Sequence, residues 1–109
     1  LFGHALIATE DQANFAEAET VLKASVTKDN ENPFAWYQLG VVYDRGGDAA
    51  RAAMATAERY HLEGQPRLAL ANAELAVRSL PQGSPDWIRA QDIAIVSRAA
   101  AEDEKRKRR

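Results

Sequence analysis

The sequence predicts an all-α protein in which about six antiparallel helices stack as helical hairpins, and three observations support this. Alanine supplies 22 of the 109 residues, and alanine favours helices while allowing them to pack closely. No segment has the alternating apolar and polar pattern of a strand, and no Asn-Gly hairpin turn occurs. Proline, glycine and capping residues divide the chain into segments of helical length, whose short connections require antiparallel neighbours.

The first two predicted helices cover residues 1–9 and 12–28. Thr9 and Gln12 have the spacing of a capping box, in which each side chain satisfies a backbone amide at a helix start. We therefore expect a helix boundary between residues 9 and 12.

The third and fourth helices have clearer boundaries. Asn32 is a natural N-cap, and Pro33 suits the first helical position because it has no amide hydrogen to leave unpaired. Gly46-Gly47 ends the third helix. Asp48 can cap the fourth, which is expected to continue to about Glu63.

The fifth and sixth helices are marked in the same way. Gly64 suits the left-handed conformation that follows a helix, and Pro66 opens the fifth helix, which extends to about Leu80. Residues 81–83, Pro-Gln-Gly, form the last turn. Residues 84–86, Ser-Pro-Asp, then supply a cap, a fixed φ angle and a negative charge at the start of the sixth helix.

One stripe of the third helix carries the most informative motif, Trp36, Leu39, Gly40 and Tyr43. The pattern W-x-x-L-G-x-x-Y resembles the first helix of a tetratricopeptide repeat, a helix-turn-helix unit of about 34 residues. The resemblance implies a tetratricopeptide-like helical-hairpin solenoid with Trp36 and Tyr43 largely buried. Glycine costs roughly 1 kcal/mol in a helix interior, so we expect a neighbouring helix to approach the backbone closely at Gly40.

The repeat pattern can also be aligned to the sequence from a second starting point, or register, near Ala50. In this register Ala57, Ala69, Ala73 and Ala76 occupy the positions where the repeat has small side chains that pack between helices. The two registers differ by half a repeat. The fourth helix therefore serves as the second helix of one unit and the first helix of the next.

Charge divides the chain into a predicted repeat domain, residues 1–104, and a basic C-terminal tail, residues 105–109. The tail holds five of the 14 basic residues, which leaves 9 basic against 16 acidic residues elsewhere. A mildly acidic body argues against a nucleic-acid partner. The sequence contains no apolar run of about 18 residues, the length that a transmembrane helix requires.

The sequence offers no catalytic constellation, so we expect this segment not to be an enzyme. Its two histidines, His4 and His61, have no partner at metal-ligand spacing, and there is no His-Glu-x-x-His motif or cysteine. We expect no metal site and no cofactor in this segment.

Surfaces remain as candidates for function. Repeats of the resembled family bind protein or peptide ligands in a concave groove lined by their first helices. Carried onto the repeat that begins near Pro33, the groove positions are Phe34, Tyr37, Gln38, Val41, Asp44 and Arg45. An aromatic residue, polar groups and a charge pair suit an extended peptide or a partner helix. The alternative is that Phe34 and Tyr37 pack against the adjacent hairpin.

A wider resemblance covers residues 33–93. It is carried by three segments: Trp36-Tyr37-Gln38-Leu39-Gly40, Ala57-Glu58-Arg59-Tyr60 and Leu80-Pro81-Gln82-Gly83-Ser84-Pro85-Asp86-Trp87-Ile88-Arg89-Ala90-Gln91-Asp92-Ile93. They are similar to the C-terminal repeat region of bacterial gluzincin metalloproteases of the BepA type, which are periplasmic and membrane-associated. In that family a separate N-terminal domain carries the zinc and the catalytic residues, none of which occurs here.

Two functional hypotheses follow. The resemblance implies a non-catalytic scaffold in envelope protein quality control, which recruits outer-membrane assembly proteins or substrates or contacts its own protease domain. The alternative is a stand-alone cytoplasmic repeat adaptor with no attached protease.

Overall fold

A computed structural model describes the backbone of residues 2–108 and the side chains of residues 14 and 16–108, and the all-α prediction is confirmed. Within residues 2–108 every regular element is an α-helix. In chain order the helices are α1 (Phe2–Lys28), α2 (Pro33–Arg45), α3 (Ala49–Leu62), α4 (Pro66–Ser79) and α5 (Pro85–Lys107).

The predicted boundary between residues 9 and 12 is wrong, because α1 is one continuous helix of 27 residues. Neither glycine nor proline occurs between His4 and Lys28, so nothing interrupts the backbone hydrogen bonds. A threonine or an aspartate inside a helix costs at most about 0.7 kcal/mol. The side chains of Thr9 and Gln12 lie outside the described residues.

The other helix boundaries agree with the sequence. The Asn32 side chain accepts hydrogen bonds from two amides at the start of α2, and Asp48 and Ser84 each accept one at the starts of α3 and α5. Gly64 has φ = 72°, the left-handed conformation predicted after α3. Helix α5 continues through Lys107, so the first three residues of the predicted tail are helical.

The helices stack in chain order, each packing on the next, into a body of 61 × 25 × 25 Å. One further pair of helices two apart packs together, α3 with α5, whereas the backbones of α2 and α4 stay apart. In the register that begins near Pro33, the first helices of neighbouring repeats are α2 and α4, whereas in the register that begins near Ala50 they are α3 and α5. The contact of α3 with α5 fits the second register.

The core consists of two clusters: one combines large side chains with alanines around Trp36, and the other consists of alanines packed around Ile93. Trp36 and Tyr43 are each 3% exposed, as predicted, and they pack with Leu39 and Met54. Ala57, Ala69, Ala73 and Ala76 are fully buried, in agreement with the second register. Methyl side chains at these positions let the helix axes approach closely.

Tyr43 gives a testable pH dependence. Burial raises the pKa of its phenol from 10.0 to about 12, and the carboxylates of Glu19 and Asp86 add to the effect. The folded state holds the phenol proton more tightly than the unfolded chain does. The protonated phenol therefore contributes fully to the free energy of unfolding below about pH 10, and this contribution is lost as the pH rises to about 12. We expect the loss to approach 2–3 kcal/mol. Urea melts at pH 8 to 12 measure it, and Tyr43→Phe is the control. Parallel pH profiles for the two proteins would contradict it.

Candidate functional site

A groove opens where α2 and α4 stay apart, and α3 forms its floor. Its volume is about 360 Å³. It is lined on α2 by Tyr37, Gly40, Val41 and Asp44, on α3 by Ala49, Ala52, Ala53, Thr56 and Arg59, and on α4 by Asn72 and Leu75. We call this surface the α2–α4 groove.

Three of the six residues predicted from the sequence, Tyr37, Val41 and Asp44, line this groove. The other three, Phe34, Gln38 and Arg45, are exposed residues of α2 outside its lining. Phe34 is 63% exposed and Tyr37 is 45% exposed, so packing against the adjacent hairpin does not bury them. Their ring centroids lie 6.4 Å apart, which makes Phe34 a neighbour of the groove.

Arg59 is a groove residue that the sequence analysis missed. Its guanidinium lies 4.8 Å from the centroid of the Tyr37 ring and 4.9 Å from that of Tyr60. A cation over an aromatic face is attracted by about 0.5–1 kcal/mol at exposed sites, so Arg59 holds Tyr37 in place at the groove edge. No local pattern indicates this contact, because it depends on how α3 packs against α2.

Leu75 and Asn72 were also missed, since the fifth predicted helix was not assigned to the groove. Leu75 is 46% exposed and faces Tyr37 and Val41 from the opposite wall. The Asn72 amide donates to the Leu68 carbonyl oxygen at 2.9 Å, which leaves its own carbonyl free to accept. The groove thus combines apolar walls with polar groups.

Gly40 lies in the α2 wall of the α2–α4 groove. A Cβ atom at this position would lie 3.4 Å from Thr56 Oγ1 and 3.6 Å from Ala55 Cβ, which are ordinary contacts. Helix α3 therefore approaches the α2 backbone at Gly40, as predicted, although an alanine would also fit between the two helices. A longer side chain would enter the groove.

A second groove, of about 430 Å³, lies on the opposite face of α3, between α3 and α5. Its charged residues include Glu58 and Arg89, which bond to each other at 2.8 Å and are therefore less available to a ligand. His61 is exposed at its edge. This groove offers less for recognition than the α2–α4 groove, although it is larger.

Metal-ligating geometry is absent from the part of the chain whose side chains are described. There, no three His, Cys, Asp or Glu side chains are placed to hold a metal ion. The side chain of His4 lies outside the described residues. The expectation that this segment has no metal, no cofactor and no catalytic activity stays a prediction.

The described helices include none that is long and apolar enough to cross a membrane. No protein-family model, no curated protein and no solved structure matches the chain.

Proposed function

We propose that this chain is a non-catalytic protein-interaction scaffold that binds a peptide segment of a partner protein in the α2–α4 groove. The observation that carries the proposal is Tyr37, an exposed aromatic ring fixed at the groove edge by Arg59. Buried aromatic anchors dominate many interfaces. A ring that is already fixed loses little side-chain entropy on binding.

The charges of the groove suit a bound peptide with an acidic and a basic residue. Arg59 lies beside Tyr37 and also pairs with Glu63 at 3.5 Å, a longer contact than the 2.8 Å pair of Glu58 and Arg89. Asp44 lies two helical turns beyond Tyr37 along α2, a separation of about 10 Å. An apolar peptide side chain between Val41 and Leu75 would place an acidic group near Arg59 and a basic group near Asp44. Such pairs fix the direction of a peptide more than they raise its affinity.

The finer part of the proposal rests on the resemblance of residues 33–93. On this resemblance we propose that the chain is the tetratricopeptide-repeat region of a periplasmic zinc metalloprotease of the BepA type, with the zinc and the catalytic residues in a separate domain. The stand-alone cytoplasmic adaptor is the alternative. The coding sequence upstream of Leu1 separates them: a signal peptide and a His-Glu-x-x-His motif support the protease, and their absence contradicts it.

We expect Tyr37→Ala to weaken peptide binding by about tenfold or more, since anchor residues contribute over 1 kcal/mol. Peptides selected from a random library against the domain serve as probes, and titration calorimetry measures their dissociation constants. The matched control is Val96→Ala. Val96 is an apolar residue with 52% exposure that lines the second groove, between α3 and α5. Selected peptides whose affinity falls with Val96→Ala but not with Tyr37→Ala would refute the proposed site.

A further inference from the structure

The outer face of the α4–α5 hairpin carries a further elongated depression, separate from both grooves described above, which we call the outer groove. Its two halves have volumes of about 560 Å³ and 270 Å³, and both are lined by Arg98. Along α4 it runs from Arg67 to Arg78, and along α5 it runs from Lys105 back to Gln91. None of its lining residues belongs to the α2–α4 groove.

The α4–α5 hairpin packs against a helix on its inner face and is open on its outer face. On its inner side α3 packs against both α4 and α5. On its outer side no helix of residues 2–108 packs, and Ile95 is 57% exposed there. Exposed apolar residues that cluster inside a polar rim mark interaction sites, so Ile95 together with Leu70 in the same groove indicates an interaction surface.

Charge specifies the partner of this surface. The outer groove contains four cationic side chains, Arg67, Arg78, Arg98 and Lys105, and two carboxylates, Glu74 and Glu102. Glu74 pairs with Arg98 at 3.3 Å, which leaves three cations and one carboxylate outside this pair. The last turns of α5 add Arg106 and Lys107, which share the Asp103 carboxylate as a partner at 4.0 and 3.3 Å and so add one net positive charge between them. A basic face on a chain of net charge −2 favours an acidic partner.

We propose that the outer groove binds an acidic amphipathic helix of a separate protein. The apolar stripe of that helix would cover Leu70 and Ile95, and carboxylates on its flanks would face Arg67 and Lys105. Helix α4 has 14 residues and is about 21 Å long, so a partner helix of three to four turns matches it. This surface is distinct from the α2–α4 groove and does not depend on the function proposed for that groove.

The test uses a synthetic, covalently stapled helical peptide of four turns, with a leucine stripe flanked by glutamates, and a twin with lysine at every glutamate. Fluorescence anisotropy measures both dissociation constants at low and physiological salt. We expect the glutamate peptide to bind at least about tenfold more tightly than its twin and to weaken with salt. Ile95→Glu should lower its affinity by about tenfold or more. Val96→Glu, one residue away with 52% exposure, should change it little.

Circular dichroism confirms that each variant is folded before binding is measured. Equal binding of the two peptides, no binding of either, or equal effects of Ile95→Glu and Val96→Glu would overturn the proposal. So would loss of binding in Tyr37→Ala, because the peptide would then occupy the α2–α4 groove. Self-association that Ile95→Glu abolishes in sedimentation experiments would identify a second copy as the occupant and also refute it.

Discussion

Replacing Trp36 with alanine is expected to lower the free energy of unfolding by about 3–5 kcal/mol. The side chain is 3% exposed and belongs to the main hydrophobic cluster. Its indole Nε1 donates to the Asn30 carbonyl oxygen at 2.9 Å, which ties the α1–α2 connection to α2. The Arg89 guanidinium lies 5.1 Å from its ring centroid, which links α2 to α5. Truncation removes all three interactions and leaves a cavity.

Urea unfolding followed by circular dichroism measures this effect. Since small domains are stable by about 5–15 kcal/mol, Trp36→Ala removes a large share and leaves some of the chain unfolded without denaturant. Trp36→Phe is the control, because it keeps most of the buried area and loses the hydrogen bond to Asn30. We expect a smaller loss of about 1–2 kcal/mol for it. A Trp36→Ala midpoint equal to that of the wild type would show that this side chain does not hold the stack together.

The second large effect is expected at the ion pair between α3 and α5. Arg89 Nη1 donates to Glu58 Oε2 at 2.8 Å, and the Glu58 side chain is only 10% exposed. Arg89→Met leaves that carboxylate nearly buried without its partner, whereas methionine keeps much of the packing over Trp36. Removal of one partner of a buried pair costs 3–5 kcal/mol. Because the Arg89 side chain is 43% exposed, we expect about 2–3 kcal/mol here.

A double-mutant cycle separates the pair from its surroundings. Glu58→Gln removes the charge that Arg89→Met would strand, so the double variant should regain part of the lost stability. We expect a coupling free energy of about 1–2 kcal/mol between the two positions. Simple addition of the two single losses in urea melts would mean that Glu58 and Arg89 do not stabilise each other.

Most helix boundaries could be predicted from the sequence because their signals are local. Asn32, Asp48 and Ser84 cap helices through amides two or three residues away, so their effect does not depend on the rest of the fold. The boundary near Thr9 was wrong for a related reason. A capping pattern starts a helix only where something ends the one before it, and no glycine or proline follows Gly3 before Asn32.

The candidate site was only half predictable. The groove positions implied by the tetratricopeptide resemblance include Tyr37, Val41 and Asp44, which line the α2–α4 groove, and also Phe34, Gln38 and Arg45, which do not. Arg59, Asn72 and Leu75 come from other helices, and their place in the groove depends on crossing angles that side-chain packing determines.

The sequence by itself determined that the chain is helical and where α2 to α5 begin, and it placed Trp36, Tyr43, Ala57, Ala69, Ala73 and Ala76 in the core. Local hydrogen bonding and apolar periodicity are sufficient for these properties. Only the tertiary structure decided which helices meet. Two registers fitted the sequence, and the contact of α3 with α5 rather than of α2 with α4 favours the one that begins near Ala50. The physical reason is that Ala57, Ala69, Ala73, Ile93 and Ala94 form one buried cluster shared by α3, α4 and α5, to which α2 contributes no residue. The separation of α2 from α4 opens the α2–α4 groove.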